Sequence, residues 1–211
     1  MLRSKFIFAI SLALSLLFGR AQAFFGIHRM KIIGYATAKP EQAERINRNH
    51  KITDADIQFM GGQIGEGFYL INEPGGFTVP GGTWHCVVKA RTSRVERIAK
   101  VYIPRQYQDT PSSRLKNLWF SNENTIINYV RSMGVVLDYF TALRFSWVQQ
   151  NNGYGKQMLI PSTVVQRGQL GLWAECFNSV SDMLDEHESG TIDWDDKSKW
   201  DIKGNIGLTR G

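Results

Sequence analysis

A glycine-rich turn that leads into a short apolar strand constrains the fold of this chain more than any other stretch. Gly65 and Gly67 flank a single residue, and residues 68–71 that follow are aromatic and aliphatic, as is typical of strands. An Asn-Glu-Pro-Gly-Gly sequence then ends the strand. Such a turn lets the backbone approach a flat ligand on which Tyr69 could stack, or it simply closes a tight surface hairpin.

The first 23 residues have the pattern of a secretory signal peptide. Arg3 and Lys5 precede an apolar stretch over residues 6–18, which is too short to span a bilayer, and an Ala-Gln-Ala cleavage site follows at residues 21–23. We therefore predict that Phe24 is the first mature residue. Residues 24–211 are then expected to form a single secreted α+β domain without a membrane anchor.

Two cysteines remain in the predicted mature chain, Cys86 and Cys176. In an oxidising secretory route, one long-range disulfide is the expected arrangement. The alternative is two separate buried thiols. A disulfide would close a loop of about 90 residues and would stabilise the fold by restricting the unfolded chain.

The formal net charge of the full chain is +6. It falls to +3 after signal cleavage, because Arg3, Lys5 and Arg20 are removed and no acidic residue is removed with them. This modest charge argues against a general polyanion-binding surface, so nucleic acid is not the expected partner. The alternative is a nucleic-acid-binding or ribonuclease-like protein, in which the most basic tract would bind RNA through Arg91, Arg94 and Arg97.

Strand patterns are short and are distributed irregularly along the chain. We predict further strands over residues 30–37, 83–90, 101–104, 141–148, 156–160 and 171–177, with an Asn152-Gly153 hairpin signal between the fourth and the fifth. The tail from Ser181, which includes Trp194 and Trp200, is expected to cover the surface.

Three helices are predicted between these strands. One covers residues 38–46 with Pro40 in its first turn, a second extends from a capping box of Ser93 and Glu96 to residue 100, and a third covers residues 122–133 after Ser121. Helices and strands do not alternate regularly. This order favours an α+β fold with a largely antiparallel core over a doubly wound sheet.

Common catalytic motifs are missing from the sequence. It contains no Gly-x-Ser-x-Gly, phosphate-binding loop or dinucleotide fingerprint, and its four histidines do not have the spacing of a zinc site. The acidic tail lacks the spacing of a calcium-binding EF-hand loop. No metal site is predicted, and His50 with His85 remains a candidate acid–base pair only for the ribonuclease alternative.

Three segments in order resemble the ADP-ribosyltransferase family, over roughly residues 30–180. Residues 33–37 with the following helix resemble the family's first strand, residues 63–70 resemble its Gly-x-Gly-x-Tyr strand, and residues 155–161 resemble the strand that begins with its catalytic glutamate. The pattern is also similar to secreted, mostly fungal proteins of toxin or effector type. The resemblance implies a split, mostly antiparallel β-sandwich with peripheral helices.

The same resemblance assigns roles to individual residues. It implies that Gln157 and Tyr69 are the catalytic positions, and that Tyr35, Thr37, Gly67 and Tyr69 contact NAD. NAD is then the substrate to test, and no tightly bound cofactor is expected.

Two departures from the family pattern predict a degenerate catalyst. Ala36 stands where the family has an arginine or histidine that grips NAD. Gln157 stands where the family has a glutamate, and a neutral amide cannot stabilise a developing oxocarbenium ion as a carboxylate does. Losing such an electrostatic contribution typically lowers the rate by about two orders of magnitude or more.

The expected function is therefore that of a secreted, monomeric effector or toxin-like protein. It would act by binding a protein of a host or competitor. The alternative is an active NAD-dependent mono-ADP-ribosyltransferase or NAD glycohydrolase, in which Glu66 or an arginine from another segment compensates for the missing groups.

Overall fold

The structure is a computed structural model that describes residues 29–57, 62–77, 82–108, 110, 114–150, 153–187 and 190–209. The predicted signal peptide, Phe24, and Asn152 of the predicted hairpin turn lie outside the described residues. Within the described residues, the chain has a mixed α+β fold.

Nine strands are present in the described part of the chain. They are β1 (Met30–Ala38), β2 (Gly67–Ile71), β3 (Trp84–Arg91), β4 (Lys100–Tyr102), β5 (Gln106–Tyr107), β6 (Lys116–Asn117), β7 (Leu143–Gln150), β8 (Gly153–Pro161) and β9 (Trp173–Phe177).

Six helices accompany these strands in the described residues. They are α1 (Pro40–Asn49), α2 (Thr92–Arg97), α3 (Glu123–Ser132), α4 (Ser162–Gln166), α5 (Val180–His187) and α6 (Lys197–Trp200), and a single 3-10 turn covers Asp54–Asp56. None of the described helices is both long and apolar enough to cross a membrane.

Seven of the strands form one sheet in the order β4-β7-β8-β2-β1-β3-β9. All neighbours pair antiparallel except β4 and β7, which are parallel. Strands β5 and β6 form a separate two-stranded ribbon. The predicted α+β fold with a mostly antiparallel core is confirmed.

The sheet is weakly joined at its centre. Strands β1 and β2 pair at a single register position, Tyr35 with Ile71. The neighbouring pairs are far more extensive, since β1 pairs with β3 at eight positions and β2 pairs with β8 at five. The sheet therefore forks between β1 and β2, with three strands on one side and four on the other.

A disulfide joins Cys86 on β3 to Cys176 on β9. The two cysteines are register partners across the antiparallel pair, so the bond staples two neighbouring strands. The predicted disulfide is confirmed, and the alternative of two free thiols is wrong.

The C-terminal segment enters the core, contrary to the expectation that it covers the surface. Trp194 and Trp200 are 1% and 3% exposed. Both indole rings make edge contacts with Phe145 of the sheet, and the Trp194 Nε1 donates to the Ile33 carbonyl oxygen at 3.2 Å. Burial of two large aromatic rings outweighs the polar composition of the surrounding sequence.

All three predicted helix starts are displaced, and the first helix begins at Pro40 rather than at residue 38. Helix α2 begins at Thr92 after an N-cap at Arg91 that has no side-chain cap, so the capping box of Ser93 and Glu96 does not form. At α3 the N-cap is Asn122, whose side chain accepts from the Thr125 N–H. Asparagine is at least as good a cap as serine, and Ser121 instead hydrogen bonds to a backbone carbonyl one turn earlier.

Candidate functional site

Cross-strand pairing brings three of the predicted site residues onto one face of the sheet. Tyr35 pairs with Ile71, and Ile71 also pairs with Gln157 on β8. Tyr69 lies two residues before Ile71 on β2, and side chains two apart in a strand share a face. Tyr35, Tyr69 and Gln157 are therefore close neighbours although they are far apart in sequence.

A cavity of about 460 Å³ lies where β1 and β2 diverge. This volume is within the usual range of about 300–1,000 Å³ for small-molecule sites. Its lining includes residues 35–37 of β1 and residues 67–71 of β2. Every residue that the sequence analysis assigned to the site contributes to its wall: Tyr35, Thr37, Gly67, Tyr69 and Gln157.

The two glycines of the turn are needed for close contacts within the protein. At Gly65, which has a φ of +114°, a Cβ atom would lie 2.1 Å from Arg144 Nη1 and 2.4 Å from Glu123 Oε2. At Gly67 it would lie 2.1 Å from the Ile160 carbonyl oxygen. The turn thus approaches buried polar groups of the protein itself, and this contact accounts for both glycines without a ligand.

An ion pair between a fully buried arginine and a partly exposed glutamate holds this turn. Arg144 on β7 is fully buried, and its guanidinium donates to both carboxylate oxygens of Glu123, at 2.6 and 2.9 Å. Arg144 also donates to the Ile64 carbonyl oxygen at 3.1 Å, and Glu123 accepts from the Glu66 N–H at 2.9 Å. The pair therefore fixes both sides of Gly65 and so positions the start of β2.

The hydroxyl group of Tyr69 is part of the same turn. It donates to the Gly65 carbonyl oxygen at 2.7 Å and accepts from the Ile64 N–H at 3.0 Å. Burial raises the pKa of Tyr69 to about 12, and the Ile64 hydrogen bond opposes this shift only in part. Both hydrogen bonds of the Tyr69 hydroxyl are therefore made within the turn. This leaves the ring of Tyr69 as the group that can contact a ligand at the cavity wall.

The amide of Gln157 is also fixed. Gln157 is 4% exposed, and its Nε2 donates to Ser146 Oγ at 2.8 Å on the neighbouring strand. Tyr35 is 2% exposed and donates to the Gly190 carbonyl oxygen at 2.7 Å. Both polar groups are held in place by the surrounding protein, so the cavity wall is preorganised.

The cavity wall has little charge. Among the described lining residues, Asp56 is the one ionisable group apart from the tyrosines. Its carboxylate accepts from Arg45 Nη2 at 2.7 Å and from the backbone N–H and hydroxyl of Thr53, which caps the 3-10 turn. The described wall contains no lysine, arginine or histidine. The cavity therefore offers aromatic rings and amides, and it lacks the cationic side chains that bind phosphate groups.

Sequence reasoning missed the residues that hold the site. Arg144 and Glu123 carry no local motif, and each is distant in sequence from the turn that it fixes. A single indirect signal existed, because an arginine at an inward position of the apolar 141–148 strand pattern requires a buried partner. Gln63 also lines the cavity, although the sequence analysis assigns it no role there.

The basic tract of the RNA-binding alternative is largely engaged in the fold. Arg94 Nη1 donates to the carbonyl oxygens of Gly168 and Gln169 at 2.9 and 3.1 Å, and Arg91 packs against Gly171. Arg97 is exposed. Two of these three arginines therefore stabilise the 168–171 turn.

The histidines of the ribonuclease alternative have different surroundings. His50 ends α1 in a left-handed conformation and stacks on Trp173, with 5.1 Å between the ring centroids. His85 lies on β3, and burial lowers its pKa. No group of three or more metal-binding side chains occurs within the described residues.

These features define an α+β protein whose forked antiparallel sheet holds a cavity with aromatic and amide walls. Residues 62–205 match the Family of unknown function (DUF5910), and because this match covers more than half of the chain, the protein belongs to that family. The comparison with curated proteins found no match, and neither did the comparison with solved structures. The matched segment includes β2 and β8 but not β1, so it contains one wall of the fork.

Proposed function

We propose that the protein is a secreted effector or toxin-like protein on an ADP-ribosyltransferase-like scaffold, and that it acts by binding a protein of a host or competitor. Its cavity binds a flat heteroaromatic ring such as nicotinamide but does not cleave NAD. The disulfide is compatible with the secreted part of this proposal, because such bonds persist in oxidising compartments.

One observation carries the proposal. Five residues that were selected through the family resemblance line a single cavity, next to the short pairing of β1 with β2. A fork between two strand groups is the feature expected of a split sheet. The aromatic rings and fixed amides of the wall suit a planar ring with polar edges.

The same cavity lacks the groups needed for catalysis. Gln157 offers a neutral amide, already held by Ser146, where a carboxylate would be needed to stabilise positive charge on a ribose. Ala36 lines the cavity where a phosphate-binding cation would be needed. Asp56 cannot replace the carboxylate freely, because Arg45 and Thr53 already neutralise and orient it.

Two assays on the purified, disulfide-bonded protein test this function. Calorimetry with nicotinamide and with NAD measures binding, and chromatography of released nicotinamide measures NAD turnover. We expect weak binding of the ring and a rate of NAD cleavage equal to that of a protein-free blank. The variant Thr37→Phe, which fills the cavity from β1, should abolish binding.

A matched control is available outside the cavity. Thr163 lies on α4 and is exposed at its hydroxyl, so Thr163→Phe should leave binding unchanged. NAD turnover that is well above the blank and is lost in Tyr69→Ala would establish the active-enzyme alternative and overturn our proposal. Absence of any binding at millimolar nicotinamide and NAD would overturn the role of the cavity.

A further inference from the structure

A second groove, of about 410 Å³, lies between the β5–β6 ribbon and the β7–β8 hairpin. It shares Gln63 with the cavity but opens onto a different set of side chains. Its lining combines three aromatic residues, three amides and one arginine: Trp119, Phe120, Tyr154, Gln63, Asn117, Gln149 and Arg105. Apart from Gln63, these side chains do not line the cavity, so the function proposed for the cavity gives them no role.

Phe120 is the most unusual residue of this groove. Its ring is 71% exposed, and its backbone has a φ of +59°, in the left-handed region that bulky residues seldom adopt. Such a conformation costs about 1 kcal/mol or more. The Phe120 N–H donates to the Gln63 carbonyl oxygen at 2.8 Å, which fixes this backbone and directs an apolar ring into solvent.

The neighbouring groups form a rigid frame around that ring. Trp119 Nε1 donates to the Ile103 carbonyl oxygen at 3.2 Å, which anchors the indole. Asn117 Oδ1 accepts from Gln106 Nε2 at 2.6 Å, and this bond turns the Asn117 amide donors away from Gln106. On the opposite side, Tyr154 is 40% exposed at the β7–β8 hairpin. The groove thus combines aromatic residues with side-chain amides, of which that of Asn117 is oriented by its hydrogen bond to Gln106.

This combination suits one class of ligand. Sugar rings have apolar C–H faces that pack on aromatic rings, and hydroxyl groups that need directional donors and acceptors such as side-chain amides. A polyanion would need several cations to release its counterions, whereas Arg105 is the one charged residue in the described lining. We propose that this groove binds a short neutral oligosaccharide, with one sugar ring stacked on Phe120. This inference does not depend on the function proposed for the cavity.

The left-handed backbone at residue 120 allows the ring to be removed without destabilising the fold. Phe120→Gly removes the ring but suits the observed φ, so the variant should be at least as stable as the original protein. Binding is measured by calorimetry with hexasaccharides of β-1,4-linked glucose, β-1,4-linked N-acetylglucosamine and α-1,4-linked glucose. We expect at least one of them to bind, and Phe120→Gly to weaken that binding about tenfold or more.

The control is Leu137→Ala, which removes an exposed apolar side chain from a different part of the surface and should leave sugar binding unchanged. Failure of all three hexasaccharides to bind at millimolar concentration would overturn the proposal. So would sugar binding that persists in Phe120→Gly. Salt-dependent binding of a uridine 12-mer, without sugar binding, would show that the groove instead takes single-stranded nucleic acid.

Discussion

The two parts of the forked sheet are held together in different ways. The three-strand part (β1, β3 and β9) is closed by a covalent bond between Cys86 and Cys176. The four-strand part (β2, β4, β7 and β8) is joined to its glycine turn by the ion pair of the buried Arg144 with Glu123. The three-strand part is thus stabilised by a covalent bond away from the cavity, whereas the four-strand part is stabilised by charged side chains next to the turn that leads into the cavity wall.

Loss of the disulfide is expected to have the largest effect on stability. In the double variant Cys86→Ala/Cys176→Ala, the free energy of unfolding should fall by about 4.5 kcal/mol, because the bond closes a loop of 90 residues in the unfolded chain. Urea unfolding measures this change. The glycine turn should keep its protection from amide exchange under native conditions, since its contacts lie in the four-strand part. A loss of less than about 1 kcal/mol would contradict this account of the three-strand part.

Removal of the arginine should affect the other part of the sheet. Arg144→Met leaves the Glu123 carboxylate and the Ile64 carbonyl group without their buried partner, so we expect a loss of about 3 kcal/mol. Amide exchange at residues 64–67 should accelerate more than exchange in β3. The double variant Arg144→Met/Glu123→Met should recover part of the stability. Equal exchange rates in both parts would show that the pair does not act locally.

Removal of the Tyr69 hydroxyl should destabilise the four-strand part less than removal of the Arg144 side chain does. Tyr69→Phe deletes two hydrogen bonds to the turn but keeps the ring at the cavity, so the free energy of unfolding should fall by about 2 kcal/mol. Tyr154→Phe, which changes a tyrosine that is 40% exposed, should stay within about 0.5 kcal/mol of the original protein. Equal losses in the two variants would argue against the role of the Tyr69 hydroxyl.

The smallest expected effect lies at the outer strand of the four-strand part. Burial lowers the pKa of Lys100 on β4 from 10.5 to about 8, so the folded protein releases this proton at a lower pH than the unfolded chain does. Because the unfolded chain then binds more protons, stability rises with pH in this window. Relative to Lys100→Met, the original protein should gain about 1 kcal/mol between pH 7 and 9. Thermal unfolding of both proteins measures the difference, and a constant difference would contradict the shift.

Local sequence patterns predicted most of the strands, because turn residues and strand-favouring side chains act on the backbone within a few residues. Glycine conformation and β-branched or aromatic composition located β2, and Pro40 indicated the first turn of α1. The burial of Trp194 and Trp200 was not predictable in this way, because it depends on contacts with strands far away in sequence.

The candidate site also has features that the sequence predicted and features that depend on distant contacts. A family resemblance selected Tyr35, Tyr69 and Gln157, and the register of three strands, β1, β2 and β8, brings them together. Sequence reasoning explained Gly65 by the approach of a ligand or by a tight surface hairpin, whereas the nearest atoms to a Cβ at this position belong to Arg144 and Glu123. An ion pair between distant segments leaves no periodic pattern, so sequence alone could not identify what the turn packs against.

Mapping of ligand contacts on the two walls of the fork tests the central claim most directly. Nicotinamide is titrated into isotope-labelled protein, and backbone amide shifts are followed by NMR. Our account predicts that the largest shifts occur together at Tyr35 and Thr37 of β1 and at Tyr69 and Gln157 across the fork, with no release of nicotinamide from NAD in a parallel sample. Shifts confined to one wall, or located away from the fork, would contradict it.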